Sequence, residues 1–352
     1  MLGKKGRATV STDHPSPSTH HARQTVLALE TSCDETAAAL LRGGELLASE
    51  VASQIALHAQ YGGVVPEVAS RQHLRALRPV IAQALADAGV ALDEIDAFAA
   101  TCGPGLASSL MIGTSVAKGL AVARRKPWLA INHLEGHLLS PFFGAAEIPP
   151  AVALIVSGGH TLLVEIEALG KYRLLGQTQD DAAGEAFDKV GKLLGLPYPG
   201  GPNVNRLAVG GDPARVDFPR SMMHSDDFAF SFSGLKTSVR YLLPKLGSIS
   251  LPDVCASFQE AVVDVLVAKT LRAAEATGRR LIAVSGGVSC NTRLREKLRA
   301  ACARGGLELR IAEPSLCTDN AAMIGYVAAL KLARGESSPL SADIDPNLRL
   351  VA

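Results

Sequence analysis

One local design occurs twice in this chain, and it constrains the fold more than any other feature. Val26 to Leu29 is a short apolar run; a polar stretch, Glu30 to Thr36, follows it, and Ala37 to Leu41 is apolar again. The same order returns at Ala153 to Val156, Ser157-Gly158-Gly159-His160 and Thr161 to Val164. Apolar run, tight polar turn, apolar run reads as a β-hairpin. Two such hairpins, far apart in the chain, suggest two related halves, each opening with a loop over a ligand. A third apolar run, Leu281 to Val284, ends in Ser285-Gly286-Gly287.

Helical patterns fill the intervals. Leu74, Leu77, Ile81 and Leu85 recur at helix spacing, with Pro79 expected to kink that element. Asp96 to Thr101 reads as a strand ending in Gly103-Pro104-Gly105, followed by a helix from Leu106 to about Arg124 whose amino end could hold an anion. Ile131-Asn132 leads into another helix. Ala183 to Leu194, Ser233 to Leu243 and Pro252 to Ala276 read as a mostly helical insertion. A helix near Asn291, a strand at Leu307 to Ala312, the loop Cys317 to Asn320 and a helix from Ala321 complete an α/β alternation with layered sheets.

The chain's 352 residues suffice for two domains, and at 47% hydrophobic but 4% aromatic the core is built from Ala, Val, Leu and Ile. A net charge of +1 excludes a polybasic chain but not a local basic face. Lys269 to Arg310 carries ten Lys or Arg and three Glu, so it is +7 and leaves −6 elsewhere. That segment reads equally as a phosphate-backbone contact or as solvated helix faces. The six cysteines form no C-x-x-C pair, which speaks against a zinc ribbon or redox motif and for a reducing cytosol. No apolar run reaches membrane-spanning length. Residues 1–24 read as a flexible tail; a targeting peptide would need the apolar face this stretch lacks.

Chemistry concentrates in a few places. His133 and His137, four apart on a helix, share one face and can share a divalent metal. A zinc-protease helix needs its acid directly after the first histidine. Here Leu134 stands there and the acid is Glu135, open to helix packing or to support of a histidine. Asp319 reads either as a helix N-cap, with Asn320 as competitor, or as a third ligand that leaves positions open for substrate oxygens. The two Ser-Gly-Gly loops, each after a β run, let backbone N–H groups approach phosphate oxygens, yet neither fits a P-loop or a dinucleotide fingerprint. Asp188 is either a surface partner of Lys192 or a pocket acid for hydroxyls. Pro199 to Pro202 marks a tight turn, and Asn291 either caps its helix or reaches a base or ribose.

In order, the motifs resemble the tRNA N6-adenosine threonylcarbamoyltransferases of the TsaD type. The matching stretches are Glu30 to Thr36, Tyr61 to Glu67, Cys102 to Leu106, His133 to His137, Val156 to Thr161, Asp181 to Lys189, Tyr198 to Gly201, Phe230 to Lys236, Gly286 to Ser289 and Cys317 to Asn320. They run from residue 26 to about 335, and His160 resembles the bacterial and organellar branch.

The resemblance implies an actin-like, Hsp70-like α/β fold around a nucleotide cleft. Its expected parts are a tail over 1–24, a first domain over 25–134 with the helix about 321–335 packed back on it, a second over 135–320 with an insertion about 190–276, and a tail over 336–352. It implies transfer of the threonylcarbamoyl group of threonylcarbamoyl-adenylate to N6 of the adenosine at tRNA position 37, with release of AMP. His133, His137 and Asp319 are then the metal ligands, for Fe(II) first or Zn(II). Ile155, Val156, Ser157, Gly158, Gly159, Asp188, Gly201 and Asn291 are substrate contacts around an adenylate-type ligand, and Asp34 and Glu35 are candidates for the base. Implied partners are tRNA, an inactive paralogue (TsaB type) and a small ATPase (TsaE type), in the cytoplasm and without a membrane. Rival readings are a metalloprotease, a label once attached to this family, an ATP-dependent kinase of the same fold, and a non-catalytic scaffold. The chain departs from the family pattern around Asn291, with Cys290 before it and Thr292-Arg293 after it.

Overall fold

A computed structural model describes residues 24–351 apart from 246 and 248. The tail expected over residues 1–24 therefore lies outside the described residues except for Gln24, whose carbonyl accepts the Gly43 N–H at 3.1 Å.

The chain begins with β1 (Thr25–Glu30), β2 (Glu35–Arg42) and β3 (Glu45–Ser53), followed by α1 (Ile55–Ala59) and α2 (Pro66–Ala88). Next come β4 (Ala97–Gly103), α3 (Ala107–Arg124), β5 (Trp128–Asn132) and α4 (His133–Leu139). A second set opens with β6 (Ala151–Val156), β7 (Thr161–Ala168) and β8 (Lys171–Gln177), then α5 (Ala183–Leu193), α6 (Gly200–Ala208), α7 (Ser233–Leu242) and α8 (Leu251–Thr277). It closes with β9 (Leu281–Ser285), α9 (Thr292–Gly305), β10 (Glu308–Ile311), α10 (Pro314–Cys317) and α11 (Ala321–Ala333).

The strands form two sheets of the same design, β3-β2-β1-β4-β5 and β8-β7-β6-β9-β10. In each, the first three strands form an antiparallel meander and the last two join in parallel. The recurring hairpins are thus the first visible part of a full topological duplication.

Period-2 geometry assigns the faces. In β1, Val26 and Ala28 enter a core shared by both sheets, whereas Leu27 and Leu29 enter a core with Leu77 of α2 and Ala117 of α3. In β6, Ala153 and Ile155 face the shared core, and Val152, Leu154 and Val156 face one with Phe187 and Phe258. Central strands buried on both faces must be apolar throughout, and each fully buried Leu contributes about 2 kcal/mol over an exposed one. The helices α4 and α11 supply Leu134, Leu138, Met323 and Ile324 to the shared core. They lie between the sheets, beside the carboxyl ends of the central strands, where open α/β sheets bind ligands.

One local expectation is corrected. The α2 helix runs through Pro79 as one element and turns Ala69, His73, Leu77, Val80 and Ala84 inward. Leu74 is 68% exposed, so the buried stripe is rotated from the one its leucines suggested. Gln54 and Thr36 hydrogen-bond the buried His73 ring, which helps fix that rotation. No helix among the described residues is long and apolar enough to cross a membrane.

Residues 336–351 form no helix or strand but run beside the edge strand β5, from its amino end toward the carboxyl end of the first sheet. Ser338 N–H donates to Trp128 O at 2.7 Å, Asp345 N–H to Cys102 O at 2.8 Å, and Gly105 N–H to Pro346 O at 3.1 Å.

Candidate metal centre and cleft

The histidine helix is placed by its first residues. Asn132 ends β5 and caps α4, its Oδ1 accepting the N–H groups of Leu134 at 2.8 Å and Glu135 at 3.3 Å. Asn132 Nδ2 donates to Arg349 O at 3.0 Å, tying the helix start to the carboxyl-terminal segment. His133 and His137 face the same way, with ring centroids 4.8 Å apart and planes at 89°. Between them lies Gly136, where a Cβ would stand 3.0 Å from both Ile324 Cδ1 and Met323 Cγ. Its missing side chain lets α11 approach α4 and so brings the preceding loop over the histidines.

That loop carries Asp319. Its Oδ1 is 3.1 Å from His137 Nε2 and 3.5 Å from His133 Nε2. Asn320, not Asp319, caps α11 by accepting Met323 N–H at 2.9 Å. Asp319 therefore does not cap α11 and stands with the two histidines instead. The three donor atoms lie within 4.8 Å of one another. Two imidazole nitrogens and a carboxylate oxygen converging at that spacing suit one divalent transition metal.

Sequence reasoning gave no role to the residue that orients His133. Glu30, at the end of β1, is fully buried, and its Oε2 lies 3.0 Å from His133 Nδ1. The same carboxylate accepts Ser32 N–H at 2.5 Å and the Thr101 hydroxyl at 2.7 Å. A carboxylate on Nδ1 leaves Nε2, the atom facing Asp319, to the metal. His137 Nδ1 is buried without a partner. Only a charged residue closing an apolar run hinted at Glu30.

The electrostatics are strongly coupled. Burial alone would lower the His133 pKa, but the Asp319 and Glu30 carboxylates outweigh it and raise it to about 9. Burial pushes Asp319 up, yet His133 and His137 hold it below the carboxylate range. His160, in the β6–β7 turn, is lowered to about 4 by burial and then by His133 and His137, so it too faces the cluster.

Glu135 resolves differently. Tyr172 donates to its Oε1 at 3.0 Å and Lys331 to its Oε2 at 2.6 Å. It bridges α4 to β8 and α11, and both its oxygens are engaged there rather than toward His133, His137 and Asp319, so Glu135 is not placed as a protease base.

The glycine loops meet beside the histidines. Ile155 of β6 pairs with Ser285 of β9, which aligns the two Ser-Gly-Gly turns. Gly286 has φ +89°, and a Cβ there would sit 2.4 Å from Val156 O, so the turn requires glycine. Ile155 and Val156 are buried in β6, whereas Gly158 and Gly159 are exposed, with no protein atom within 4 Å of a would-be Cβ. Backbone there is open to close approach.

From the first hairpin, Asp34 is raised by burial and by Asp319. Glu35 rises to about 7 through burial, against a 2.8 Å hydrogen bond from Ser53, with Asp34 and Asp319 adding to the rise. Asp188 has no ion pair with Lys192; it accepts the amides of Gly200 at 2.7 Å and Gly201 at 3.3 Å. Burial raises its pKa against those two amide hydrogen bonds, with Glu185 and Asp34 adding to the rise. Tyr198, unassigned from sequence, has its pKa raised by burial, with Asp34 and Asp188 adding to the rise. Asn291 caps α9 by accepting Leu294 N–H at 3.0 Å and donates to Gln259 at 2.7 Å, so its amide is largely engaged in structure.

The basic segment is mostly paired internally. Arg279 meets Glu165, Arg293 and Lys297 meet Glu260, Lys269 meets Asp227, and Arg310 meets Glu308. Arg272, Arg280 and Arg295 bond backbone carbonyls. This removes most of the support for a free basic face there.

Residues 45–326 match the family described as tRNA N6-adenosine threonylcarbamoyltransferase. A protein of that name from Geobacter metallireducens is 54% identical over 323 residues, covering 90% of this chain and 95% of that protein. One from Clostridium perfringens is 46% identical over 334 residues, covering 93% and 98%. Among solved structures, full-length HypF in the phosphate- and nucleotide-bound form superposes with TM-score 0.61 at 13% identity, covering 90% of this chain and 47% of that one. The (R)-2-hydroxyglutaryl-CoA dehydratase component A of Acidaminococcus fermentans gives 0.55 at 15%, covering 88% and 98%. These likenesses show the actin-like fold.

Proposed function

The chain belongs to the tRNA N6-adenosine threonylcarbamoyltransferase family, and on that premise we propose how its cleft performs the transfer. The enzyme moves the threonylcarbamoyl group from threonylcarbamoyl-adenylate to N6 of adenosine 37 in tRNAs that read codons beginning with A. The bond from N6 to the carbamoyl carbon forms, the bond from that carbon to the phosphate oxygen breaks, N6 loses a proton and AMP leaves. The observation that carries the reading is the convergence of His133, His137 and Asp319 within 4.8 Å, in a chain whose Ser157-Gly158-Gly159 turn is open to close approach.

We assign His133, His137 and Asp319 as ligands of one divalent ion, Fe(II) first and Zn(II) second, since this donor set suits both. When bound, the ion supplies Lewis-acid polarisation of phosphate or carbamoyl oxygens. The backbone N–H groups of Ser157, Gly158 and Gly159 offset the phosphate charge of the leaving AMP. Ile155 and Val156 hold that turn at the end of β6. Asp188 fixes the turn at Gly200 and Gly201, against which the nucleoside packs, and Asn291 meets it with its remaining amide valence. Exocyclic amines are poor nucleophiles, so the proton on N6 needs an acceptor. Glu35, raised to about 7, has the proton affinity of a general base near neutral pH, with Asp34 beside it.

The two sheets support a division into actin-like halves, 25–134 and 135–320, with an insertion about 190–276. A protein of net charge +1 fits an enzyme that shares tRNA capture with an inactive paralogue and a small ATPase in the cytoplasm. Reconstitution with those partners, the separate enzyme that makes the adenylate, threonine, bicarbonate, ATP and tRNA, followed by nuclease digestion and mass spectrometry, should yield threonylcarbamoyl-adenosine. Cleavage of a glycoprotein substrate, or transfer of the ATP γ-phosphate to a small molecule with no modified tRNA, would replace this reading.

A further inference from the structure

One stretch of the chain carries cations and no acid. Between Asp227 and Asp253 stand Lys236, Arg240 and Lys245, without a single Asp or Glu. The stretch forms α7 and the 3-10 turn Leu243–Lys245 that follows it. Leu235 and Val239 seat α7 on the core that holds Phe187 and Phe258. Helical spacing then turns Lys236 and Arg240, four apart, and beside them Thr237 and Tyr241, away from that core. Arg240 and Lys245 are exposed, Lys236 is half-buried and Tyr241 is 70% exposed.

Among the described residues, none of these three cationic side chains has an ion pair or a hydrogen-bond partner. Lys269, Arg279, Arg293 and Lys297 differ, since Asp227, Glu165 and Glu260 neutralise them. The start of α7 is also tied to the cleft. Asp180 accepts the hydroxyls of Ser231 and Ser233 at 2.6 Å, and the N–H groups of Phe232 at 2.8 Å and Ser233 at 3.3 Å. Just after Asp180, the first turn of α5 closes on the Ser157-Gly158 turn. Gly184 N–H donates to Ser157 O at 3.1 Å, and a Cβ on Gly184 would lie 2.8 Å from Gly158 Cα. Two short links, Asp180 and Gly184, thus join the cationic helix to the turn assigned above to the adenylate's phosphate.

We propose that the outer side of α7 and the turn after it bind the anticodon arm of the tRNA, with Lys236, Arg240 and Lys245 on backbone phosphates and Tyr241 on an unpaired base. Cations without a protein partner gain most from a polyanion, because binding releases the counterions condensed on its phosphates. Unpaired bases of RNA loops stack on aromatic side chains, and an exposed ring offers that platform. Adenosine 37 lies beside the anticodon, so a surface joined to the cleft can hold the arm while that base enters. The inference rests on the tRNA-modifying function above and adds the surface that captures the substrate.

The test titrates the full chain, with its partner proteins, into fluorescently labelled unmodified tRNA at several salt concentrations. The triple variant Lys236→Gln, Arg240→Gln, Lys245→Gln should bind about tenfold or more weakly, and its slope of log affinity against log salt should be shallower by about 2. Tyr241→Ala should bind about fivefold more weakly with the slope unchanged. At saturating tRNA the triple variant should transfer the threonylcarbamoyl group at the wild-type rate, because this face binds and does no chemistry. Lys171→Gln, which removes an exposed cation at the start of β8, should match wild type throughout. Wild-type affinity and slope in the triple variant, or an equal loss in Lys171→Gln, would overturn the proposal. So would loss of a partner protein from the complex on size-exclusion chromatography, which would make this face a protein contact. Wild-type complex that binds no tRNA would contradict the function itself, and the surface with it.

Discussion

Glu30 Oε2 stands 3.0 Å from Nδ1 of His133, and both side chains are buried. That contact joins the first hairpin to the histidine helix, and it makes the two histidines unequal, since His137 Nδ1 has no partner. Removing such an orienting carboxylate typically costs ten- to a hundredfold in metal affinity. Glu30→Gln should therefore bind Zn(II) about 10–100-fold more weakly in chelator competition while keeping the wild-type circular dichroism. Unchanged affinity would mean that Glu30 serves only the β1 turn.

The cap on that helix makes a second test. Asn132 both caps α4 and holds Arg349 O. Asn132→Ala should lose about 1 kcal/mol in urea denaturation for the cap, plus the tie to the carboxyl-terminal segment. Asn132→Asp keeps the cap acceptor and loses only the Nδ2 donor, so it should fall between wild type and Ala. Equal stability of all three proteins would show that the helix start is fixed by packing alone.

Away from the cleft, Glu260 on α8 accepts Arg293 at 2.7 and 2.9 Å and Lys297 at 2.5 Å. The Arg293 hydrogen bonds lead, and against burial they lower its pKa to about 2. A folded pKa below the unfolded one means that the unfolded chain takes up the proton first as pH falls. The stabilisation is thus complete above about pH 4.5, declines below it, and is gone once pH passes about 2. Because Arg293 is partly exposed, solvent screening reduces it to about 1–2 kcal/mol. Glu260→Gln should be less stable than wild type by that amount at pH 6, with the gap closing by pH 2.5. A gap that stays constant over this range would place its origin in packing rather than charge.

The comparison of sequence with structure has a physical pattern. Hairpins with buried apolar strands on both sides of a polar turn were legible because short-range patterning fixes them. The edge strands β3 and β8 were not, since their side chains alternate irregularly between solvent and partial cover. The His133–His137 pair was visible because a helix sets its spacing. Asp319, 182 residues further on from His137, came into view as a possible ligand only through its polar loop, and the approach permitted by Gly136 is a tertiary fact. Glu30 gained its role from neighbours remote in the chain, His133 and Thr101, which no local pattern encodes. The charge run from Lys269 to Arg310 read two ways in the sequence because most carboxylates that pair with it, Glu165, Asp227 and Glu260, lie outside it.

Single-turnover transfer from presynthesised threonylcarbamoyl-adenylate to tRNA tests the central claim most directly, because it bypasses the enzyme that makes the adenylate. Wild-type protein with its partners should form threonylcarbamoyl-adenosine. Chelator-stripped protein should lose at least a hundredfold in rate and recover on addition of Fe(II) or Zn(II). His133→Ala with Asp319→Ala should remain inactive whatever metal is added. Undiminished transfer by that double variant would contradict the account.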